Sequence, residues 1–321
     1  MTAGPHIVAH DDVRDDPRMG PNIGFVGIGN MGWPMAACLA DAGYSLVVAD
    51  ARRATADNFV QQVGGRVADS LTALSASSDV IITMLPTSGN VSAVMAEGVD
   101  NLLAGLRPGT VVIDMTSGQP AITRKLAERV AAAGGTLIDA PVSGGVSRAK
   151  TGQLAIMVGA DAAVLERVRP VLAAMGTSIL PCGGVGAGQA MKALNNLVSA
   201  GGYLIGIEAL LIGQRAGLDP GVMVDVLNAS TGMNNSTQKK FRQFVLSRGF
   251  DSGFSLDLMV KDLSIALEIG RDGATPTPFA AMCREMWAAA LASLGPGQDH
   301  TAVAKLSERL VGTELRAAND A

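Results

Sequence analysis

Short apolar runs alternate with helix-like segments through the first half of the chain. Five of these runs, each typical of a buried strand, lie at 23–28, 45–49, 80–85, 110–115 and 136–140. Because the segments between them have the length and periodicity of helices, the pattern predicts a doubly wound parallel sheet. Two later runs, at 154–159 and 178–180, are expected to extend that sheet.

After Pro181 the strand patterns stop and helical periodicity continues almost to the end of the chain. The predicted helices cover 187–216, 220–228, 237–246, 256–271, 278–294 and 301–310. We therefore predict an α/β chain in which a Rossmann-type domain at 21–184 precedes an all-helical domain at 185–312. A long interdomain helix joins the two, and the segments 1–20 and 313–321 are interpreted as tails, the first of them flexible.

The first apolar run leads through a G-x-G-x-x-G turn into a helix, an arrangement that favours dinucleotide binding. Its glycines permit a tight turn, the approach of a pyrophosphate and close packing of helix on strand, while the helix N-terminus attracts phosphate. The alternative is a plain strand, turn and helix with coincidental glycines. The cofactor residues predicted in this turn are Gly27, Ile28, Gly29, Asn30, Met31 and Gly32.

Asp50 ends the second strand, at the position where an acid accepts hydrogen bonds from the adenosine ribose. Its charge would repel a 2′-phosphate, so the predicted cofactor is NAD. Arg52 and Arg53 follow directly and are able to bind that phosphate, so NADP is not excluded. Either arginine also fits as a solvated residue at the start of the next helix.

Three further turns follow predicted strands and should meet the glycine turn at one edge of the sheet. They are 85–87, 116–118 and 143–145. The turn at Ser143 offers a hydroxyl and unobstructed backbone amides, which suit a substrate carboxylate. A serine nucleophile is disfavoured there, because His300 is the only histidine outside the N-terminal tail and lies near the C-terminal end.

The longest helix-like segment, Gly183–Gly217, is largely apolar and contains no proline. A helix this apolar is expected to be buried on most sides, and polar residues such as Gln189 argue against a membrane span. Burial lowers the pKa of a lysine, which makes Lys192 a candidate proton-transfer group. Asn195 and Asn196 lie one turn later on the same face. The segment is therefore predicted to hold a catalytic lysine where two domains meet.

The composition limits the classes of partner and compartment. The 321 residues are 48% hydrophobic and 17% charged, as in globular proteins, while 3% aromatic content and a net charge of −4 argue against nucleic acid. The three cysteines show no disulfide or metal spacing, and the first twenty residues lack the apolar core of a secretory signal. We expect no metal, no membrane partner, a cytoplasmic location, and a homodimer or homotetramer formed through the helical half.

Four blocks of sequence resemble the β-hydroxyacid dehydrogenase family. They are GFVGIGNMGWPM at 24–35, DAPVSGGVSRAKTGQLAIMVGA at 139–160, GAGQAMKALNN at 186–196 and KDLSIAL at 261–267. The resemblance covers about residues 23–311, and the first half is particularly similar to tartronate semialdehyde reductase. The stretch 230–235, where the family reads substrate groups, is less similar to that enzyme.

The resemblance implies a role for each residue that matches the family. Lys192 is implied to be the general acid/base, which exchanges the hydroxyl proton as hydride moves to nicotinamide; a structural ion pair is the alternative. Asn196 would hold the substrate hydroxyl or orient Lys192, and Asn195 would share that task or cap an interdomain contact. The alternative for both is that they satisfy buried backbone. Lysine at 192 also argues against the imine reductases, which by the same resemblance usually lack it.

The other implied contacts are divided between substrate and cofactor. Substrate contacts are implied for Ser143, Gly144, Gly145, Asn195 and Ser117, and cofactor contacts for Leu85, Pro86, Thr116, Ser117 and Lys261. For Thr116 and Ser117 the alternative is an ordinary helix cap, and for Lys261 it is a surface lysine.

The expected function is that of an NAD-dependent oxidoreductase that interconverts a small 3-hydroxy acid and its 3-oxo acid or semialdehyde, as 3-hydroxyisobutyrate dehydrogenase does. Tartronate semialdehyde (2-hydroxy-3-oxopropionate) reductase is one alternative. A non-catalytic dinucleotide-binding sensor is the other. The expected partner is therefore a small hydroxy-acid substrate.

Overall fold

A computed structural model describes residues 20–317, so the predicted tail at 1–20 lies outside the described residues except for its last residue. The strands are β1 (Ile23–Val26), β2 (Leu46–Ala49), β3 (Arg66–Val67), β4 (Val80–Thr83), β5 (Val111–Asp114), β6 (Thr136–Asp139), β7 (Val142–Ser143), β8 (Leu154–Gly159) and β9 (Gly176–Gly183). The helices of this half are α1 (Gly32–Asp41), α2 (Arg53–Gln62), α3 (Leu71–Ala76), α4 (Ser88–Ala96), α5 (Pro120–Ala132), α6 (Gly145–Ala149) and α7 (Ala162–Ala173).

These strands form one sheet in the order β3–β2–β1–β4–β5–β6–β8–β7, with β9 paired to β8. All pairs from β3 to β6 are parallel, which confirms the predicted doubly wound sheet. The later strands differ, since β8 is antiparallel to β6 and β7 and parallel to β9. The strand order reverses between β1 and β4, so a ligand crevice is expected beyond their carboxyl ends.

Adjacent residues of the central strands face opposite sides of the sheet, which produces two hydrophobic layers. Phe25 of β1 joins the cluster that packs against α1 and α7, while its neighbour Val26 joins the cluster under α4 and α5. Because both layers are covered by helices, the central strands β1, β4 and β5 are buried along their whole length.

The second half is helical, as predicted. It contains α8 (Ala187–Arg215), α9 (Pro220–Asn228), α10 (Asn235–Lys239), a π-helical turn (Phe241–Leu246), α11 (Leu256–Asp272), α12 (Pro278–Leu294), a 3₁₀ turn (His300–Val303) and α13 (Ala304–Val311). Its core surrounds Tyr203 of α8, whose ring packs edge-on against Phe241 and contacts Trp287. The helical half therefore has a hydrophobic core of its own, separate from the layers of the sheet.

Helix α8 runs from the sheet through the whole helical half, but it is not buried on most sides. One face packs against the core, whereas the opposite face exposes an apolar stripe. The stripe consists of Met191, Leu194, Val198, Ile205 and Ile212. By length and composition α8 would suffice to cross a membrane, yet here its other face is part of a packed core. The expectation that this helix is buried on most sides is wrong for the single chain along the stripe.

Two predicted helices are interrupted. The helix expected at 237–246 starts earlier, where Asn234 forms a capping box, and it changes to a π-helical turn after Lys240, whose backbone departs from helical geometry. The helix expected at 301–310 begins with a 3₁₀ turn, which the Asp299 carboxylate caps by accepting the Thr301 N–H. Short-range capping decides both boundaries, and hydrophobic periodicity does not report it.

The tail predicted at 313–321 needs correction over its first five residues. Leu315 is fully buried in the helical core, and its N–H donates to the Glu308 carboxylate. The carbonyl of Glu314 accepts a hydrogen bond from Gln214 of α8. Residues 313–317 thus belong to the helical domain, because a single leucine anchors them there.

Candidate active site

Two connected cavities lie along the carboxyl edge of the sheet. The larger, about 900 Å³, follows the glycine turn and the end of β2, and we call it the cofactor groove. The second, about 540 Å³, lies between the sheet and the helical half, and we call it the lysine pocket because Lys192 lines it. The residues Met84, Leu85 and Pro86 border both, so one elongated ligand could extend from the groove into the pocket.

Two of the three glycines in the glycine turn have no room for a side chain, and the third faces open space. Gly27 has φ +101°, and a Cβ there would collide with the Met84 carbonyl oxygen. A Cβ on Gly32 would collide with the carbonyl oxygen of Gly27. Gly29, in contrast, faces open space with no protein atom within 4 Å of a Cβ position. That space, beside the N-terminus of α1, fits the pyrophosphate of a dinucleotide.

Asp50 is held in place at the end of β2. Its carboxylate accepts hydrogen bonds from the backbone N–H groups of Ile28 (2.9 Å) and Arg52 (2.9 Å), and it lines the cofactor groove. The Arg53 guanidinium already donates hydrogen bonds to the Ala68 carbonyl and the Asp57 carboxylate. The Arg52 side chain is 76% exposed and lies 3.9 Å from the Asp50 carboxylate. Of the two arginines, Arg52 is the more exposed and makes fewer contacts, so its guanidinium is the better placed to meet a 2′-phosphate.

Thr116 lies beneath the cofactor groove and does not line it. Its side chain is fully buried, and its Oγ1 accepts the Leu85 N–H at 3.0 Å. The predicted direct contact with cofactor or substrate is therefore not formed by this side chain, which instead ties two ligand-binding turns together. Ser117, the next residue, does line the lysine pocket.

Lys261 joins the helical half to the same two turns. Its Nζ donates to the carbonyl oxygens of Ser117 (2.6 Å) and Pro86 (3.1 Å), and the residue lines the lysine pocket. It is therefore not a freely solvated surface lysine. Its amine fixes the distance between α11 and the edge of the sheet.

Lys192 is half-buried in the first turns of α8 and lines the lysine pocket. Within residues 20–317, no side chain or carbonyl is hydrogen-bonded or ion-paired to its amine. Burial lowers the pKa of this amine below its usual value; the Asp262 carboxylate opposes that shift, and the neighbouring Lys261 cation adds to it. An unpaired amine with a lowered pKa facing a cavity is suited to proton transfer.

Asp262 connects three parts of the site. It is 1% exposed, and its two oxygens accept hydrogen bonds from the Ser117 hydroxyl (2.7 Å) and the Asn196 amide (2.6 Å). Its carboxylate also lies 3.4 Å from the Lys261 amine. The sequence shows this acid only as part of the KDLSIAL block. Its position between the sheet, α8 and α11 could not be derived from the K-D-L motif.

The two asparagines lie behind the pocket wall. Asn196 is buried and donates to Asp262, and the Asn195 amide donates to Asn196 at 3.2 Å. In the described part of the chain neither asparagine borders the lysine pocket. Their geometry supports the orienting alternative, in which Asn196 acts through Asp262, more directly than contact with a substrate.

The turn after β7, where a substrate carboxylate is predicted to bind, borders the lysine pocket. Ser143, Gly144 and Gly145 all line the lysine pocket. Gly144 has φ +134° and Gly145 has φ +66°, so both need glycine, and no protein atom lies within 4 Å of the Gly145 Cβ position. The same pocket is also lined by Gly253–Ser255 and by 297–299, which the sequence did not indicate. The stretch 230–235, expected near the substrate, does not border this pocket in the described structure.

The described residues contain no candidate metal-binding site. Over residues 20–317, no cluster of three or more His, Cys, Asp or Glu side chains is arranged to hold a metal ion. The site instead combines open backbone amides, the Asp50 carboxylate at the end of β2 and an unpaired amine. Those are the groups needed to bind a dinucleotide and exchange a proton with a substrate beside it.

Known proteins with similar sequences and structures account for this arrangement. Residues 22–184 match the model for the NAD-binding domain of 6-phosphogluconate dehydrogenase, and residues 186–307 match the NAD-binding model of NADP-dependent 3-hydroxyisobutyrate dehydrogenase. The chain is 38% identical over 294 residues to 2-(hydroxymethyl)glutarate dehydrogenase from Eubacterium barkeri, covering 91% of this chain and 97% of that protein. It is 39% identical over 273 residues to 3-hydroxyisobutyrate dehydrogenase from Pseudomonas aeruginosa, covering 83% and 91%.

A solved structure of Mycobacterium tuberculosis 3-hydroxyisobutyrate dehydrogenase with L-serine superposes with a TM-score of 0.83 at 33% identity, covering 90% of this chain and 99% of that one. Both halves of the chain match models of hydroxy-acid dehydrogenases, and the relatives carry the names of such enzymes. The glycine turn agrees with the nicotinamide cofactor that these enzymes use. The chain belongs to the β-hydroxyacid dehydrogenase family, and it is an NAD(P)-dependent oxidoreductase that acts on the CH–OH group of hydroxy acids.

Proposed function

We propose that this enzyme oxidises a small 3-hydroxy acid reversibly, with Lys192 as the general acid/base. The observation that carries the proposal is the unpaired Lys192 amine with a lowered pKa, which faces the pocket where the cofactor groove ends. The bound nicotinamide supplies the hydride acceptor. In its neutral form the Lys192 amine accepts the hydroxyl proton during oxidation, and in its charged form it returns that proton to the carbonyl oxygen during reduction.

The other residues of the pocket bind and orient the substrate. Ser143 and the backbone amides at Gly144 and Gly145 are proposed to hold the substrate carboxylate. Asn196 and Ser117 donate hydrogen bonds to the Asp262 carboxylate. The negative charge of Asp262 limits the lowering of the Lys192 pKa that burial causes. Lys261 keeps the helical half closed over the Ser117 and Pro86 turns, which limits the access of water to the reacting atoms.

The names of the relatives suggest the substrate class. 2-(Hydroxymethyl)glutarate and 3-hydroxyisobutyrate share a CH₂OH group on the carbon that carries a carboxylate. We propose that this chain takes the same HOCH₂–CHR–COO⁻ unit. Tartronate semialdehyde remains the alternative substrate, since its reduction product, glycerate, carries the same unit. The sensor alternative is not supported, because the relatives are dehydrogenases.

A substrate panel tests this proposal. Nicotinamide absorbance would be followed with 3-hydroxyisobutyrate, 2-(hydroxymethyl)glutarate, L-serine and D-glycerate, each with NAD and with NADP. We expect turnover with at least one of these acids and a preference for NAD, because Asp50 lies where a 2′-phosphate would bind. No turnover with any of these four acids would contradict the proposed class, because all four carry the HOCH₂–CHR–COO⁻ unit.

We further propose a homodimer, or a homotetramer built from it, that covers the apolar stripe of α8. Met191, Val198, Ile205 and Ile212 recur at intervals of seven residues, the spacing of helices that pack side by side. Val198 and Ile212 are 76% and 70% exposed in the single chain. The three free cysteines agree with a reducing compartment, and we propose a cytoplasmic location.

Light scattering with matched variants tests the oligomer. Ile205→Lys places a charge in the stripe, and Val99→Lys places one at an isolated apolar residue that is 96% exposed in the other domain. We expect Ile205→Lys to reduce the molar mass and Val99→Lys to leave it unchanged. The same mass for both variants as for the wild type would place the interface elsewhere.

A further inference from the structure

The first turn of α8 receives its N-terminal cap from the sheet. The residue before the helix, Gly186, has no side chain and has φ +91°. The Asp139 carboxylate at the end of β6 takes over the capping role, since it accepts the N–H groups of Gly186 (2.6 Å) and Gln189 (2.8 Å). Asp139 is fully buried, so these bonds are shielded from water. They fix the start of α8 relative to β6.

The Gln189 side chain fixes the same turn relative to β5. Its Nε2 donates to Asp114 Oδ2 at 3.0 Å, and its Oε1 accepts the Thr123 hydroxyl at 2.7 Å. Gln189 is 1% exposed and Asp114 is also 1% exposed. Because the amide is bonded at both ends inside the protein, a rotation of α8 would break buried hydrogen bonds on two elements.

Asp114 also holds the turns that border the cofactor groove. Its Oδ1 accepts the Thr83 hydroxyl (2.9 Å) and the Thr116 N–H (3.1 Å). Thr116 in turn accepts the Leu85 N–H through its own hydroxyl. The chain of hydrogen bonds Leu85–Thr116–Asp114–Gln189 therefore runs from a cofactor turn to the helix that carries Lys192.

Close packing leaves this turn no freedom to slide. A Cβ on Gly188 would lie 2.9 Å from Asp139 Oδ2 and would collide with the Met157 carbonyl oxygen. Lys192 follows Gln189 by three residues, so it lies on nearly the same face, about 4.5 Å further along the helix axis. Any shift of the first turn would move the Lys192 amine by a similar amount.

We propose that Gln189 and Asp139 are positioning residues, which hold Lys192 at a fixed distance from the cofactor turns so that its amine meets the substrate hydroxyl beside the nicotinamide. The proposal rests on the proposed role of Lys192. It assigns to the G-A-G-Q stretch before the lysine a role in catalysis beyond starting a helix. A misplacement of about 1 Å is enough to lower a rate by about a hundredfold.

The ionisable groups that face Gln189 are Asp114 from β5 and Asp139 from β6. Its side chain also accepts the Thr123 hydroxyl and donates to the Thr116 carbonyl oxygen at 3.4 Å. Burial raises the pKa of Asp114 to about 6, and the charge of Asp139 adds to that shift. Burial also raises the pKa of Asp139. Gln189→Glu would place a second carboxyl against Asp114, where one shared proton could replace the lost N–H donor at low pH.

The test compares Gln189→Met and Gln189→Glu with the control Ser78→Ala. Ser78 is fully buried, and its hydroxyl bonds the Leu74 carbonyl at the opposite edge of the sheet. For each variant, kcat and KM would be measured from pH 5.5 to 8.5, together with the Kd for NAD(P) and the Tm. Ser78→Ala should lower the Tm without changing kcat.

For Gln189→Met we expect kcat to fall at least about tenfold, with KM and the Kd for NAD(P) within about threefold of the wild type. For Gln189→Glu we expect the ratio of variant to wild-type kcat to approach one near pH 5.5. The ratio should fall as the pH rises and the shared proton is lost. If Gln189 served only stability, low pH would not restore the kcat of Gln189→Glu.

Two results would overturn the proposal. One is a kcat for Gln189→Met within twofold of the wild type. The other is a Gln189→Glu ratio that does not change with pH, which decides the matter if Gln189→Met does not fold. Lys192→Ala separates the two proposals: if Lys192→Ala keeps its turnover, the proposed function fails. If it loses turnover while both Gln189 variants behave like Ser78→Ala, only the positioning role fails.

Discussion

The cofactor groove and the lysine pocket meet at Met84–Pro86, but they are built from different parts of the chain. The groove is lined by turns and strand ends of the Rossmann-type domain and by Leu258 of α11, with the Asp50 carboxylate held at the end of β2. The pocket is formed by side chains from both domains, with Lys192, Lys261 and Asp262 grouped between them. The groove should therefore be sensitive to added atoms, and the pocket to lost or displaced charges.

The largest effect on cofactor affinity is expected from an added methyl group in the groove. In Gly27→Ala the new Cβ would collide with the Met84 carbonyl oxygen, so the turn that faces the pyrophosphate must move. We expect the Kd for NAD(P) to rise at least about a hundredfold, equivalent to about 2.7 kcal/mol of binding free energy. Titration calorimetry on the folded variant would measure it.

Gly43→Ala is the matched control for that change. Gly43 also has a positive φ, +87°, but no protein atom lies within 4 Å of its Cβ position. It should lose a little stability through backbone strain and keep its affinity for the cofactor. Equal losses of affinity in the two variants would mean that strain, and not the collision at the turn, controls binding.

A smaller effect is expected when the pocket loses a charge without losing volume. Asp262→Asn keeps the shape but removes the carboxylate that raises the pKa of Lys192. The pKa of the lysine should then fall further. In the oxidation direction kcat rises with pH as the amine loses its proton, so this rising limb of the profile should move to lower pH. We expect kcat to drop about tenfold to a hundredfold at neutral pH, since the Ser117 and Asn196 bonds weaken.

The Kd for NAD(P) provides the contrast for Asp262→Asn. It should stay within about threefold of the wild type, because Asp262 lines the lysine pocket and not the groove. A pH profile that moves to higher pH, or does not move, would contradict the proposed influence of Asp262 on Lys192.

The smallest effect concerns the choice between two cofactors at the end of β2. Asp50→Ser removes the charge that would repel a 2′-phosphate, while Arg52 remains exposed beside it. We expect the ratio of the Kd for NADP to the Kd for NAD to fall about tenfold, a change of about 1.4 kcal/mol. Arg52→Ala should raise the Kd for NADP alone. If Asp50→Ser changes both affinities by the same factor, Asp50 supports the turn without discriminating between cofactors.

The same contrast explains how much could be predicted from the sequence. The parallel part of the sheet was predicted from short apolar runs, and that prediction is confirmed. The glycine turn and Asp50 were found from residues close together in the chain, and their contacts with the cofactor stay predictions. The lysine was identified because a charge inside a long apolar helix is costly, and that cost is visible without coordinates. Its location in a pocket next to the groove agrees with the prediction, while its chemical role stays a proposal.

The sequence did not reveal contacts that depend on how distant segments pack. Thr116 was assigned to the ligand, yet its hydroxyl is buried under the groove. Asp262 could be placed between Ser117 and Asn196 only once the two domains were brought together. The exposed stripe of α8 was missed because hydrophobicity alone does not distinguish a core contact from a contact with another chain.

The central claim is that the Lys192 amine transfers the substrate proton beside the nicotinamide. The most direct test is the single-turnover rate of hydride transfer in Lys192→Ala, measured together with the Kd for NAD(P). The account predicts a rate about a hundredfold to ten-thousandfold below the wild type, with a Kd within about threefold. An unchanged rate, or a loss of affinity as large as the loss of rate, would contradict it.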